Sequence, residues 1–160
     1  MLDGKAQTAR YATVQTPTMH EATFVFLHKL VDAWNTHDVD RIAGFYAPEY
    51  LGIDVGDATP QTGRSGIRRA ALRYMAAFPD LHLRADELII EGDRVAVMWT
   101  ARGTHRGMLM SIPPSGRTVE VRGISMLTVR ESQIVRAFTL WDVAGLLRAL
   151  GLLPELAATP

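Results

Sequence analysis

The sequence of 160 residues contains no cysteine, no excess of either charge and no long apolar run. Without cysteine it can form neither a disulfide nor a cysteine-based zinc or iron–sulfur site, and cytoplasm is the predicted location. Seventeen basic residues balance seventeen acidic ones, which argues against nucleic acid as a partner. Apolar stretches such as 88–90 and 95–99 are far shorter than the roughly 18 residues of a membrane helix, so no membrane partner is expected.

The composition that remains, 48% apolar and 21% charged, is typical of one globular domain. The first twenty residues lack the apolar run of a secretory signal, and we expect them to form a flexible arm. We therefore predict an N-terminal arm over 1–20, a single domain over 21–153 and a C-terminal tail over 154–160.

Apolar residues spaced by three and four predict three helices in the first half of the chain. The first covers 21–35. The second starts at an N-cap, Asp38, buries Val39, Ile42, Phe45 and Tyr46, and is stopped by Pro48. The third runs from about Ser65 to Pro79. A short last helix over 143–150 follows an N-cap at Asp142.

Partial alternation of apolar and polar residues predicts strands in the second half. Four of them follow one another over 81–90, 94–104, 118–129 and 134–141, after a short first strand over 50–54. Short connections make neighbouring strands antiparallel. This order is typical of an α+β fold in which a curved sheet wraps around helices, and a pocket is expected where the two layers diverge.

Six short segments of the chain resemble segments of a known family and follow one another in the same order. They are Trp34-Asn35-Thr36-His37-Asp38, Tyr46-Ala47-Pro48-Glu49-Tyr50, Ala77-Phe78-Pro79-Asp80-Leu81, Gly103-Thr104-His105-Arg106-Gly107, Ile112-Pro113-Pro114-Ser115-Gly116 and Trp141-Asp142 through Gly151. From about Phe24 to Leu153 the chain resembles the SnoaL-like polyketide cyclases. The resemblance implies a nuclear transport factor 2-like, cystatin-like roll: a cone-shaped mixed sheet around three N-terminal helices. It further implies a deep apolar cavity, no cofactor and a homodimer formed through the outer face of the sheet.

The resemblance does not transfer the catalytic groups of the founding cyclases. Their acid/base carboxylate and its histidine partner align with Leu140 and Met126, and neither side chain can move a proton. In the ketosteroid isomerases of the same fold, the base position matches Asp54, whereas the oxyanion donors fall on Leu30 and Ile124. Only half of that machinery is therefore present.

Three residues are candidates for catalysis. Asp54 ends a strand near the expected pocket and is either a base or an exposed turn carboxylate. His105 either shuttles a proton or contacts a ligand carbonyl, or it holds its loop by bonding to backbone. Asp142 is either catalytic or simply the cap of the last helix.

Apolar and aromatic side chains are the candidates for substrate binding. Period two places Ile124, Met126, Phe138 and Leu140 on shared faces of neighbouring strands. Together with Trp34, Trp99 and Trp141 they either line a cavity for a flat hydrophobic molecule or form plain core. The five histidines show no metal-binding spacing, and no glycine-rich phosphate loop is present, so we predict no metal site and no nucleotide.

Two functions fit these residues. The first is a SnoaL-like cyclase-type enzyme that acts on a small hydrophobic metabolite by cofactor-free acid/base chemistry at Asp54, with His105 assisting; an isomerase or an epoxide hydrolase is the variant of this view. The second is a non-catalytic module of the same fold that binds a hydrophobic ligand or dimerises, because the founding acid/base pair is replaced by Leu140 and Met126.

Overall fold

A computed structural model describes residues 18–156. The elements, in chain order, are α1 (Met19–Asn35), α2 (Val39–Ala43), β1 (Tyr46–Asp54), β2 (Gln61–Thr62), α3 (Gly63–Ala77), β3 (His82–Glu91), β4 (Arg94–Thr104), β5 (Thr118–Arg130), β6 (Gln133–Trp141) and α4 (Val143–Ala149). Most of the predicted arm and residues 157–160 of the predicted tail lie outside the described residues. None of the helices within 18–156 has both the length and the hydropathy needed to cross a bilayer.

The six strands form one sheet in the order β2-β1-β6-β5-β4-β3. Strands β3 to β6 pair with their sequence neighbours in antiparallel fashion, as predicted. Strand β1 pairs with β6 in parallel, and this pairing sets Asp54 opposite Thr139. The first and last strands are therefore neighbours in the sheet, although they lie far apart in the chain. The predicted α+β architecture is confirmed.

Two clusters of buried apolar residues fill the space between the sheet and the helices. The larger one joins α1, α2 and α3 to the sheet through side chains such as Leu27, Ile42 and Ile134. The smaller one lies under α4 and includes Phe78 and Leu146. The separation of these clusters leaves room for the cavity described below.

Helix α1 begins before the residue that the periodicity indicates. Thr18 is its N-cap, and a capping box closes the first turn: the Glu21 N–H donates to the Thr18 hydroxyl at 3.2 Å, and the Thr18 N–H donates to the Glu21 carboxylate at 2.7 Å. A Thr followed three residues later by Glu is a sequence signature of a helix start. Residues 18–20 therefore belong to the helix and its cap, not to the arm.

The predicted end of the second helix is wrong. Helix α2 stops at Ala43, and Tyr46 already belongs to β1, which continues through Pro48 to Asp54. The Ile134 N–H donates to the Phe45 carbonyl at 2.8 Å, so pairing with β6 replaces further helical hydrogen bonds. The apolar spacing fitted a helix, but the tertiary pairing overrides it. The short strand β2 was also not predicted.

Candidate active site

A cavity of about 200 Å³ opens between the inner face of the sheet and helices α1 and α3. Its wall is mostly apolar, and the three tryptophans that the sequence singled out, Trp34, Trp99 and Trp141, lie in it. The polar side chains in the wall include Asp54, Gln61, Tyr74, Arg84, Arg102, Ser125 and Thr139. These few polar groups are the places where the cavity can do chemistry or fix the orientation of a ligand.

Asp54, at the end of β1, is the carboxylate of the cavity wall, and three donors hold it. Its Oδ1 accepts hydrogen bonds from the Gly56 N–H and from the indole N–H of Trp141, both at 2.8 Å. Its Oδ2 accepts one from the Tyr74 hydroxyl at 3.0 Å. Each carboxylate oxygen has two lone-pair directions. Both directions of Oδ1 are used, whereas Oδ2 has one left to accept a proton.

Tyr74 is a site residue that is not among the sequence-based candidates. It projects from α3 into the cavity wall, and its hydroxyl proton is committed to Asp54. Burial, followed by the negative charge of Asp54, raises the pKa of Tyr74 well above the ordinary value. The phenol therefore stays protonated and keeps donating near neutral pH. No local sequence signal marks this pairing, since the two residues are brought together by the fold.

Gly56 allows the backbone to approach this cluster closely. A Cβ atom at this position would lie 2.6 Å from the Trp141 ring and 3.0 Å from the Tyr74 hydroxyl. The Gly56 N–H also donates to Asp54. The absence of a side chain at Gly56 therefore allows the backbone to come close enough to make this hydrogen bond.

An ion pair fastens the segment after β1 to helix α3. The Asp57 carboxylate pairs with the Arg73 guanidinium and accepts a hydrogen bond from the Gln61 amide at 2.8 Å. The same guanidinium lies 5.0 Å from the centroid of the Tyr74 ring, a cation–π distance. These contacts hold Tyr74 in the orientation in which it meets Asp54.

A second polar group lies in the sheet beside Asp54. The Trp99 indole N–H donates to the Ser125 hydroxyl at 3.0 Å, and that hydroxyl bonds to the Thr139 hydroxyl at 3.0 Å. Gly123 makes the arrangement possible, because a Cβ there would lie 2.3 Å from the Trp99 ring. The ring can therefore lie flat against β5 and reach the next inward-facing residue along that strand.

His105 is not brought to the cavity. Its side chain is fully buried, its Nδ1 accepts a hydrogen bond from the Ser115 N–H at 3.2 Å, and its ring packs on Phe78 at 5.5 Å between centroids. Its backbone pairs with Arg117 and Gly116 across the base of the same loop. These contacts match the alternative predicted for His105, in which it holds the loop over 106–117.

Asp142 also occupies the position expected of its alternative role. It is the N-cap of α4, and its carboxylate accepts a hydrogen bond from the Gly145 N–H at 2.7 Å. It is exposed and is not part of the cavity wall. The structure therefore keeps Asp142 apart from Asp54.

The predicted placement of four apolar residues in the cavity is wrong. Ile124, Met126, Phe138 and Leu140 are 41%, 39%, 43% and 49% exposed and lie outside the cavity wall. The strand register puts them side by side on the outer face of the sheet. Ile89 and Met98 extend the set across β3 and β4. We call these six residues the outer apolar patch.

The described residues hold no cluster of three or more histidine or carboxylate side chains with the spacing of a metal site. The carboxylates near the cavity are committed to neutral donors or to arginine: Asp54 to Gly56, Tyr74 and Trp141, and Asp57 to Arg73. The polar groups of the wall are therefore one carboxylate, several hydroxyls, the Gln61 amide and the guanidinium groups of Arg84 and Arg102.

Buried phenols make the stability of the fold sensitive to alkaline pH. Burial raises the pKa of Tyr46 to about 12 and also raises the pKa values of Tyr50 and Tyr74. An unfolded tyrosine ionises near pH 10, whereas these folded ones do not, so the free energy of unfolding falls as pH rises above about 10.

Tyr46 alone is expected to contribute a loss of about 2–3 kcal/mol between pH 10 and pH 12. Urea unfolding at a series of pH values measures it. The Tyr46→Phe variant should show a shallower decline above pH 10, and an equally steep decline would contradict the assignment to Tyr46.

The arrangement defines a class of protein: a curved, unclosed sheet around helices, with a single carboxylate in the wall of an inner cavity. A solved structure from Catenulispora acidiphila, with a ketosteroid isomerase-like fold, matches with a TM-score of 0.70 over 79% of this chain and 92% of that chain, at 18% identity. This likeness shows the fold, which is of the nuclear transport factor 2 and ketosteroid isomerase type.

The chain belongs to the SnoaL-like polyketide cyclase family, whose profile matches residues 25–150. It is 27% identical over 128 residues to the aklanonic acid methyl ester cyclase DnrD of Streptomyces peucetius, covering 78% of this chain and 88% of DnrD. It is also similar to IdmH of Streptomyces antibioticus, described as a candidate polyketide cyclase, with 31% identity and a TM-score of 0.70 over 80% of this chain and 97% of IdmH.

Proposed function

We propose that this protein is a polyketide cyclase-type enzyme in which Asp54 acts as the base, without a cofactor, on a small hydrophobic molecule that carries a carbonyl group. The observation that carries the proposal is the geometry of Asp54. Three donors fix its carboxylate in the wall of an apolar cavity, and one lone-pair direction of Oδ2 stays open. A carboxylate held in this way can meet a substrate proton without reorganising.

The proposed reaction is an aldol ring closure, and the only catalytic step that it needs from the protein is the transfer of a proton to Asp54 and back to the substrate. Asp54 removes a proton from the carbon beside a carbonyl, and the electron pair of that C–H bond moves onto the carbonyl oxygen as an enolate. The enolate carbon then attacks a second carbonyl carbon of the same substrate, which forms the ring C–C bond. The new alkoxide takes up the proton that Asp54 removed, which gives the alcohol and regenerates the Asp54 carboxylate. The aromatic and apolar wall keeps the substrate in a folded conformation and excludes water from it.

The test is exchange of the α-protons of 2-tetralone in D₂O, followed by proton NMR. This aromatic ketone is suited to an apolar cavity and has an enolisable carbon next to its carbonyl. We expect the protein to accelerate the exchange over buffer alone. Exchange at the buffer rate with bound tetralone would contradict catalysis and favour the binding module, in which the three donors to Asp54 serve structure only.

We also propose that the protein forms a homodimer through the outer apolar patch. The patch spans four adjacent strands, from Ile89 on β3 to Leu140 on β6, and apolar areas of this kind on a sheet mark interaction surfaces. Pairing two copies by a two-fold axis covers both patches at once. Sedimentation should give twice the chain mass of 17.7 kDa, and a mass of one chain would contradict the dimer.

A further inference from the structure

The hydroxyls of Ser125 and Thr139 form a pair with one proton to spare. Two hydroxyl protons are present, and the single hydrogen bond between the oxygens, at 3.0 Å, uses one of them. The Trp99 indole can only donate, so the bond of 3.0 Å from Trp99 to Ser125 uses none. Whichever hydroxyl donates to the other, one O–H in the pair has no acceptor among the described residues. Both residues lie in the cavity wall, where a ligand can accept it.

Other donors near Asp54 are already committed. Tyr74 and Trp141 each have one polar proton, and both protons are given to the Asp54 carboxylate. Trp99 gives its proton to Ser125. A substrate oxygen that enters beside Asp54 therefore finds a hydroxyl proton in the Ser125–Thr139 pair, which lies in the same cross-strand row as Asp54.

The register sets the distance between this donor and the base. Asp54, Thr139 and Ser125 are direct cross-strand partners in one row over β1, β6 and β5. Adjacent strands lie roughly 5 Å apart, so Thr139 is one strand step from Asp54 and Ser125 is two. At a separation of one strand step, Asp54 can reach the α-carbon of a substrate while Thr139 reaches the oxygen of the adjacent carbonyl group. Thr139 is therefore the member of the pair that can face the same carbonyl group as Asp54.

We propose that the Thr139 hydroxyl donates to the carbonyl oxygen of the substrate while Asp54 removes the neighbouring proton. Ser125 and Trp99 are positioning residues: Trp99 donates to Ser125, Ser125 donates to Thr139, and the Thr139 proton is left pointing to the cavity. This inference rests on the proposed function. It assigns the oxyanion donor that the apolar residues Leu30 and Ile124 could not supply.

The chain of donors suits the charge that develops in this step. As the C–H electrons move onto the carbonyl oxygen, that oxygen becomes a stronger acceptor, and hydrogen bonds in a chain strengthen one another. The substrate class follows: a ketone or β-dicarbonyl compound with a hydrogen on the carbon beside its carbonyl. A hydrocarbon of the same shape would fit the wall but leave the hydroxyl proton without an acceptor.

Binding of 2-tetralone and of tetralin, which has CH₂ in place of the carbonyl, tests the donor by calorimetry. We expect the wild type to bind the ketone roughly fivefold more tightly, as one net hydrogen bond gives. The Trp99→Phe/Ser125→Ala/Thr139→Val triple variant removes both hydroxyl protons and also the indole proton that loss of Ser125 would leave without an acceptor, so it should bind the two compounds equally. Thr118→Val is the matched control, because Thr118 belongs to an exposed hydroxyl pair with Thr104. A wild type without preference for the ketone, or a triple variant that keeps the preference, overturns the proposal.

The exchange assay separates Thr139 from a purely structural role. Thr139→Val should slow α-proton exchange of bound 2-tetralone by about 100-fold, the effect of removing one oxyanion donor. Thr139→Ser keeps the hydroxyl and should restore most of the rate. A serine variant as slow as the valine variant, or a valine variant with the wild-type rate, would refute the role of the hydroxyl.

Failure of this inference differs from failure of the proposed function. If Asp54→Asn abolishes exchange while Thr139→Val leaves it unchanged, Asp54 is the base and the hydroxyl proposal is wrong. If Asp54→Asn leaves exchange unchanged, the proposed function is wrong. The role of Thr139 as oxyanion donor during proton removal by Asp54 is then wrong as well. The loss of the ketone preference in the triple variant then reports on the donor row alone.

Discussion

Replacing Asp54 with Asn is expected to lower the rate of α-proton exchange of 2-tetralone by about 10²–10⁴-fold, the usual contribution of a general base. The amide oxygen of Asn can still accept from the Gly56 N–H and the Trp141 indole, so the turn after β1 should keep its shape. The amide cannot take up a proton, however. Binding of 2-tetralone should therefore stay close to that of the wild type while turnover is lost.

Asp142→Asn is the matched control for this substitution. Asn caps a helix about as well as Asp, so the hydrogen bond from Gly145 and the stability of α4 should be preserved. We expect the exchange rate of this variant to equal that of the wild type. If instead Asp142→Asn abolished exchange and Asp54→Asn did not, the base would have been assigned to the wrong carboxylate.

Replacing Phe138 with Glu is expected to convert the dimer into a monomer. Phe138 lies on β6 in the outer apolar patch, beside Met126 on β5 and opposite Ile53 on β1, and it is 43% exposed in the single chain. A charge there costs the monomer little but would be buried without a partner in the dimer. The two-fold axis places the substitution in the interface twice, so we expect the dissociation constant to rise by about 10³-fold.

Analytical ultracentrifugation over a range of protein concentrations measures this change. Leu72→Glu is the matched control: Leu72 is 56% exposed on α3, away from the outer face of the sheet, and should leave the dimer intact. A Phe138→Glu variant with the wild-type mass would show that the patch is not the interface. Loss of the dimer in both variants would point to a general effect of added charge.

Much of the fold could be predicted because its signals are local. The helix period, the alternation in β3 to β6 and the N-caps Asp38 and Asp142 are visible in the sequence and are confirmed. The end of α2 could not be predicted, since residues 39–46 are spaced as in a helix. What decides it is the contact of Tyr46 with Ile134 on a strand nearly ninety residues later. The cytoplasmic location stays a prediction.

The candidate site was predicted only in part for a different reason. Period two correctly groups Ile124 with Met126 on β5 and Phe138 with Leu140 on β6, but it does not tell which face of the sheet is inside. The rule that apolar residues face inward misassigned these four, because β5 and β6 here place Ser125 and Thr139 on the cavity side and these four apolar residues on the outer face. Tyr74, Ser125 and Thr139 consequently went unnoticed, since a lone hydroxyl in a sequence has no spacing that marks it.

The pairing of β1 with β6 has a consequence for how the protein is made. Asp54 and Trp141 are 87 residues apart in the chain, and the sheet edge that β1 needs is the last strand to be synthesised. Strands β3 to β6 can pair one after another as a meander with short-range contacts during synthesis. Strand β1 cannot pair with β6 until β6 has been synthesised, so its apolar residues stay exposed in the meantime. We therefore expect a nascent chain halted before residue 133, where β6 begins, to need chaperone protection. Such a chain would have neither the parallel pairing nor the donor that orients Asp54.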